Sequence, residues 1–422
     1  MFRLREGVRL HDGRRLAPED VVASLEHARS DSESRRRSQL ADVEGVSAPG
    51  PRTVVVRTRR PLDTLALRLS NVFIWARGAR PGLPPVGTGP YRIRSLVPGG
   101  GATLEPFPEH WKAPPIVRGV TFQVVPEASD RRRWLSEGRA QIAAELQASA
   151  PSAEAGPAAP RTVLRADGLR VVFLAFDVAR ERSPYVSASP NPFRDRRVRQ
   201  AVALAIDRRA LLDGPLAGRA ALADQMAAPK ELGAYRDSLQ SRPFDRAGAR
   251  RMLGAAGHAG GFEVTLDHAD DPDSRSVAAA IVSDLEKVGV RARSRVQSEA
   301  LLTRRLDARD TSLCLGSWAS DTGDGRVSYE YLLHTRGQGF GLANAGGYSD
   351  PALDSLIREA TAPHDVDARR VLMARLAAKV ALDVPIVPLY TIADVYSVVP
   401  GLEFAPRLDR QIRAAELRWA AP

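Results

Sequence analysis

Between residues 262 and 318 the hydrophobic period of the chain switches back and forth, and few folds accept that pattern. Phe262–His268 alternates with the period of a strand. Residues 274–288 follow the 3.6-residue period of a helix, which Gly289 stops. Val290–Val296 is again a strand, 299–306 a short helix, and Ser312–Trp318 a strand. Strand–helix–strand order of this kind predicts a parallel sheet with right-handed crossovers. Upstream, Leu169–Phe176 is apolar almost throughout, as a strand buried on both faces would be. A helix is predicted over 195–212, with Val198, Val202, Ala205 and Ile206 on its inner side. The fold class is therefore α/β. In open sheets of this class ligands bind beyond the carboxyl ends of strands, which puts the residues after Trp318 at a mouth.

The first part of the chain is less regular. Phe2 and Leu4 alternate with Arg3 and Arg5, and Val8 and Leu10 follow, which reads as two strands turning near Glu6-Gly7. Pro18-Glu19-Asp20 opens a helix, because proline suits its first position and acids suit its positive end. Val21, Val22, Leu25 and Ala28 form the buried face of that helix. Residues 30–39 read as a solvated loop and 53–58 as a strand. Residues 81–91 hold four prolines and three glycines, the composition of a shaped loop. The Pro/Ala/Ser stretch 148–160 reads as a surface linker.

A chain of 422 residues is too long for one core, so two or three lobes are expected. No run of about 18 apolar residues is present to span a membrane. The net charge is +11, carried almost wholly by arginine, since the only lysines are Lys112, Lys230, Lys287 and Lys379. The arginines are scattered. No aromatic residue interleaves Arg35–Arg37, and only Trp134 adjoins Arg131–Arg133, so a base-stacking surface for nucleic acid is not expected. Cys314 lies between Leu313 and Leu315 and reads as a small buried hydrophobe. None of the seven histidines forms a pair at metal-ligand spacing, so no metal site or cofactor is predicted. Gly87-Thr88-Gly89 lacks the lysine of a phosphate loop, and no nucleophile–base pair stands out, so no enzyme activity is expected.

The best candidate for ligand chemistry is Ser317-Trp318-Ala319-Ser320-Asp321-Thr322-Gly323-Asp324-Gly325. A tryptophan and a carboxylate follow a buried strand into a glycine-containing turn. One reading is an aromatic wall beside an anion that receives a ligand ammonium. The other is an ordinary Asp/Gly turn whose tryptophan closes the core. Composition alone favours the second.

Several stretches resemble the extracellular solute-binding proteins of peptide and nickel ABC importers. Residues 2–13 (Phe-Arg-Leu-Arg-Glu-Gly-Val-Arg-Leu-His-Asp-Gly), with Leu16-Ala-Pro-Glu-Asp-Val-Val22, are similar to that family's signature stretch. Val86-Gly-Thr-Gly-Pro-Tyr91, Trp111, Phe193-Arg-Asp-Arg-Arg-Val-Arg-Gln-Ala201, Ala205-Ile-Asp207, Gly346-Gly-Tyr-Ser-Asp-Pro351 and Val384-Pro-Ile-Val-Pro-Leu-Tyr390 match further family stretches in order. The resemblance implies a two-lobe periplasmic-binding-protein-like fold of the large peptide-binding class. The extra subdomain of lobe I would take residues 1–88, lobe I 89–168 and lobe II 169–395, with 396–422 returning to lobe I. Lobe crossings are expected near Gly168–Val172 and Ala393–Val399.

The resemblance further implies a monomer that captures a peptide or peptide-like solute and hands it to an ABC permease and its ATPase at the periplasmic or outer face of the membrane. It makes Asp321 the partner of the ligand's amino group, beside Trp318, with Asn344 near the pocket and Tyr329 following the same turn. A solute-sensing domain of a transcription regulator is the alternative use of such a fold. Two departures stand out. Asp177 replaces the family's usual Asn, and Asp321-Thr-Gly-Asp324-Gly replaces Asp-Tyr-Pro-Asp-Pro, which is expected to loosen the turn. Relatives begin earlier, with a signal peptide and a lobe I strand, so the chain is expected to start inside the subdomain and to lack a strand of the first lobe.

Overall fold

The computed structural model describes residues 1–420 except 33, 35, 79–84, 145–160, 167, 229–242 and 321. The linker expected over 148–160 and the carboxylate of Asp321 lie outside the described residues. Two compact units are present. The first comprises Met1–Pro61, Leu65–Ala166 and Asp394–Pro422, and the second Leu62–Thr64 and Asp167–Ala393.

In the first unit, β1 (Phe2–Arg3) and β2 (Val43–Gly50) flank β3 (Thr53–Thr58) in an antiparallel sheet. The expected hairpin over residues 2–10 does not form. β1 pairs with β3, and Arg9 instead bridges Arg15 across the Asp12-Gly13 turn. Two ladder residues beside a six-residue strand gain more backbone pairing than a two-residue hairpin of their own could. Helix α1 (Pro18–Ser30) forms where predicted, and Val21, Leu25 and Ala28 pack on Leu40, Val43 and Val54, while Val22, expected beside them, is only partly buried. Part of the stretch expected to be solvated is covered, since Ser38 and Gln39 are buried. The rest of this unit contains α2 (Leu65–Leu69), a sheet of β4 (Tyr91–Val97), β5 (Gly101–Pro106) and β6 (Val120–Gln123), and α3 (Ala128–Ser136). β7 (Ile142–Ala144) and β8 (Thr162–Ala166) flank β15 (Asp394–Val398), and β16 (Leu402–Glu403) pairs with β17 (Arg418–Trp419).

The second unit is built on a six-stranded sheet, in the order β10 (Ala220–Leu222), β14 (Ile386–Ile392), β9 (Arg170–Phe176), β13 (Leu313–Ala319), β11 (Phe262–Ala269), β12 (Val290–Gln297). β9 is central, as its apolar run requires. Val172, Leu174 and Phe176 enter one core, and Leu169, Val171 and Phe173 the other. The parallel expectation holds for β11, β12 and β13, but the sheet is mixed, because β9 runs antiparallel to both β13 and β14. α4 (Arg196–Ala205), α5 (Arg208–Asp213), α6 (Arg246–Ala255) and α7 (Pro272–Glu286) contribute to the first core. α9 (Gly325–Leu333), α10 (Pro351–Ala360) and α11 (Val366–Asp383) contribute to the second, and α8 (Glu299–Asp307) joins β12 to β13.

The single helix expected over 195–212 is broken at Ile206–Asp207. The Asp207 side chain accepts from the Ala210 amide and starts α5 afresh, while Ile206 stays buried. Gly289 ends the α7 segment with φ +92°, a conformation that suits glycine. Cys314 is buried, and burial pushes its thiol pKa far upward.

Candidate functional site

The candidate segment begins where β13 leaves the sheet, with Ala319 paired to Arg170 at the start of β9. Trp318 is half-buried against the second core. Its indole N–H donates to Ser328 Oγ at 3.0 Å, and its ring lies 5.0 Å from that of Tyr331. Both partners are on α9, so the indole is fixed against that helix.

Ser320 and residues 322–324 are tied together, although the exchange of Pro for Gly suggested a loose turn. The Gly323 N–H donates to Ser320 Oγ at 3.1 Å, and the Ser320 and Thr322 hydroxyls are 3.1 Å apart. The Asp324 N–H lies 3.3 Å from Thr322 Oγ1. Gly323 has φ +68°, so here glycine relieves a strain that another residue would suffer. These side-chain–backbone bonds replace the rigidity that proline would supply.

Asp324 anchors the far end of the turn and is 0% exposed. Its Oδ1 accepts from the Arg326 N–H at 3.0 Å, capping α9, and its carboxylate also takes Arg326 Nε and Nη2, the latter at 2.5 Å. Arg326 turns its Nη1 the other way, to both oxygens of Asp63 at 3.0 and 2.9 Å and to the Ala360 carbonyl at 3.1 Å. Burial opposes the Arg326 charge, but the two carboxylates outweigh it and raise the pKa. This Asp63–Arg326–Asp324 chain had no signal in the sequence, because Asp63 is 263 residues from its partner.

The other two residues expected at the site have packing roles. Tyr329 is 1% exposed inside the core formed with α10 and α11. Asn344 is 2% exposed; its Nδ2 donates to the carbonyls of His334 and Tyr348, and its Oδ1 accepts from the Tyr348 N–H. Both donors and an acceptor of the amide are thus engaged, and Asn344 closes the loop ahead of α10. Other motif residues act likewise. Arg199 is buried and donates to the carbonyls of Phe193, Arg194, Asp383 and Val384. Asp350 caps α10. Asp177 accepts from Ser183 Oγ at 2.6 Å and Arg180 Nε at 2.7 Å, and the guanidinium balances the charge that the usual Asn would not bring.

Among the described residues, no group of three or more His, Cys, Asp or Glu is arranged to hold a metal ion. No helix among them is long and apolar enough to cross a membrane.

Residues 1–340 match the bacterial extracellular solute-binding proteins, family 5 middle. The glutathione-binding protein GsiB of Salmonella typhimurium (strain LT2) is 24% identical over 402 residues, which span 92% of this chain and 76% of that protein. GsiB of Escherichia coli (strain K12) is 23% identical over 379 residues, or 86% of this chain and 72% of that protein. The oligopeptide-binding protein AppA from Bacillus subtilis, in complex with a nonapeptide, superposes with a TM-score of 0.85 at 19% identity, covering 100% of this chain and 86% of that one. AgaA from A. tumefaciens R10, in complex with agropinic acid, superposes with a TM-score of 0.83 at 23% identity, covering 95% and 82%. These structures share the two-lobe binding-protein fold with this chain, and the relatives are binding proteins rather than enzymes. The chain belongs to the bacterial extracellular solute-binding proteins, family 5, which deliver substrate to ABC transporters.

Proposed function

We propose that this protein captures a short peptide or peptide-like solute with a free ammonium group and passes it, as a monomer at the outer face of the membrane, to an ABC permease and its ATPase. Asp321 receives the ammonium and Trp318 shields the pair from water. Tyr329 fills the core and Asn344 fixes a loop. The observation that supports this reading is the turn at the end of β13, held by Ser320, Thr322 and Asp324 beside an indole locked to α9. An indole fixed in this way loses little freedom when it meets a ligand. Lobe closure about Gly168–Val172 and Ala393–Val399 would complete capture, since a ligand favours the form that contacts it most. The regulator alternative draws no support from the relatives named above.

Calorimetry with short peptides tests the reading. Removing one partner of a buried charge pair costs about 2–5 kcal/mol. Asp321→Asn should therefore weaken a free-amine peptide roughly 30-fold or more, and its N-acetylated analogue far less. Binding of the free-amine peptide within about threefold of wild type would remove Asp321 from the site.

A further inference from the structure

Four charged groups meet beneath the candidate turn: the carboxylates of Asp324 and Asp63 and the guanidinium groups of Arg326 and Arg369. The contacts run in series. Arg369 Nη2 reaches Asp63 Oδ2 at 3.2 Å, both Asp63 oxygens take Arg326 Nη1, and Arg326 Nε and Nη2 take Asp324. Asp324 then holds the turn, through its amide on Thr322 and its carboxylate on the α9 amide. Two positive and two negative charges balance. Exposure falls along the series, from 25% at the Arg369 side chain and 19% at Asp63 to 5% at Arg326 and 0% at Asp324.

We propose that Asp63 is a positioning residue for the ligand-binding turn, an inference that rests on the reading of that turn given above. Asp63 acts through Arg326 and Arg369, the side chains that its carboxylate pairs with. Its carboxylate decides how Arg326 divides itself. With Asp63 charged, Nη1 is drawn away from the turn and Asp324 shares the guanidinium. Without that charge, Nη1 keeps only neutral acceptors such as the Ala360 carbonyl, and one positive charge of the series is left unbalanced in a buried place. Arg326 then shifts toward Asp324, the one carboxylate left to it, and drags the α9 cap and the Gly323 and Asp324 amides with it. Affinity for an ammonium ligand is thus set partly by a residue in the segment Leu62–Thr64, far from the turn in sequence.

The test combines amide exchange with binding, on the full chain. Asp63→Asn should speed exchange of the Gly323 and Asp324 amides about tenfold, while the amides of β9 and β11 keep their protection. It should also weaken whichever of trialanine and reduced glutathione the wild type binds by about tenfold, and Asp63→Glu should restore most of both. Exchange at Gly323 and Asp324 within about twofold of wild type, in a folded Asp63→Asn protein, overturns the proposal. Should Asp63→Asn fail to fold, Arg369→Gln, which leaves the Asp63–Arg326 pair in place, should still speed the same two amides about threefold, and no change there overturns it equally. If the wild type binds neither probe, the peptide reading fails by itself, and the exchange measurement still decides whether Asp63 positions the turn.

Discussion

Asp324→Asn separates holding the turn from binding the ligand. Asparagine caps a helix about as well as aspartate, so the α9 cap survives the change. What disappears is the negative charge facing Arg326 Nε and Nη2, at 2.9 and 2.5 Å from a side chain that is 0% exposed. Breaking a buried pair typically costs about 3–5 kcal/mol. Arg326 keeps Asp63 and the Ala360 carbonyl, so the expected loss falls lower, at about 2–3 kcal/mol. Urea slopes of about 1–3 kcal/mol per molar turn that into a midpoint shift of roughly 0.7–3 M. Among the five tryptophans, Trp318 alone lies in the second unit, so the difference in emission between each protein and its Trp318→Phe counterpart reports the melting of that unit. Asp321→Asn, measured the same way, should move the midpoint by less than the equivalent of about 0.5 kcal/mol. A shift below about 0.2 M for Asp324→Asn would refute the reasoning, because the buried pair would then carry no net stability.

Two further outcomes follow from other parts of the chain. Burial, helped by Arg92, pulls the His11 pKa below its ordinary value, while Asp12 and the Gly89 carbonyl oppose the shift. The His11 ring accepts from the Gly87 N–H and reaches the Gly89 carbonyl, which suits the neutral imidazole. Unfolded His11 binds a proton before the folded form does, so stability is full above about pH 6.5 and is lost as pH falls through the lowered folded value. Thermal melts at pH 7.5 and 5.0 should show a larger drop for wild type than for His11→Gln, and equal drops would contradict this. Gly346→Ala should cost about 1–3 kcal/mol by urea unfolding, since its Cβ would lie 2.1 Å from the Phe176 carbonyl oxygen; an unchanged midpoint would show that the backbone yields there freely.

The sequence by itself determined the parts of this protein that depend on local periodicity. β9, β11, β12 and β13 and the helices α7 and α8 lie within a few residues of where alternation, helical spacing and Gly289 put them, because burying an amphipathic face demands one period or the other. Leu169–Phe176 was legible as a central strand, since only burial on both faces accommodates an unbroken apolar run. The turn after Trp318 was legible as a place, being the end of a buried strand. What holds it was not: Trp318 is fixed by Ser328 and Tyr331, and Asp324 by Arg326, whose other carboxylate comes from Asp63. Asn344 was placed near the pocket by the family resemblance and Tyr329 only by following the same turn, and their surroundings show one clamping a loop and the other filling a core. The antiparallel entry of β9 beside β13 was likewise invisible, as strand direction depends on where the chain returns and not on side-chain pattern. Hydrophobic period is a property of neighbours along the chain. Charge pairing and hydrogen bonding depend on where side chains meet in space, across 263 residues for Asp63 and Arg326, so tertiary structure alone could decide them.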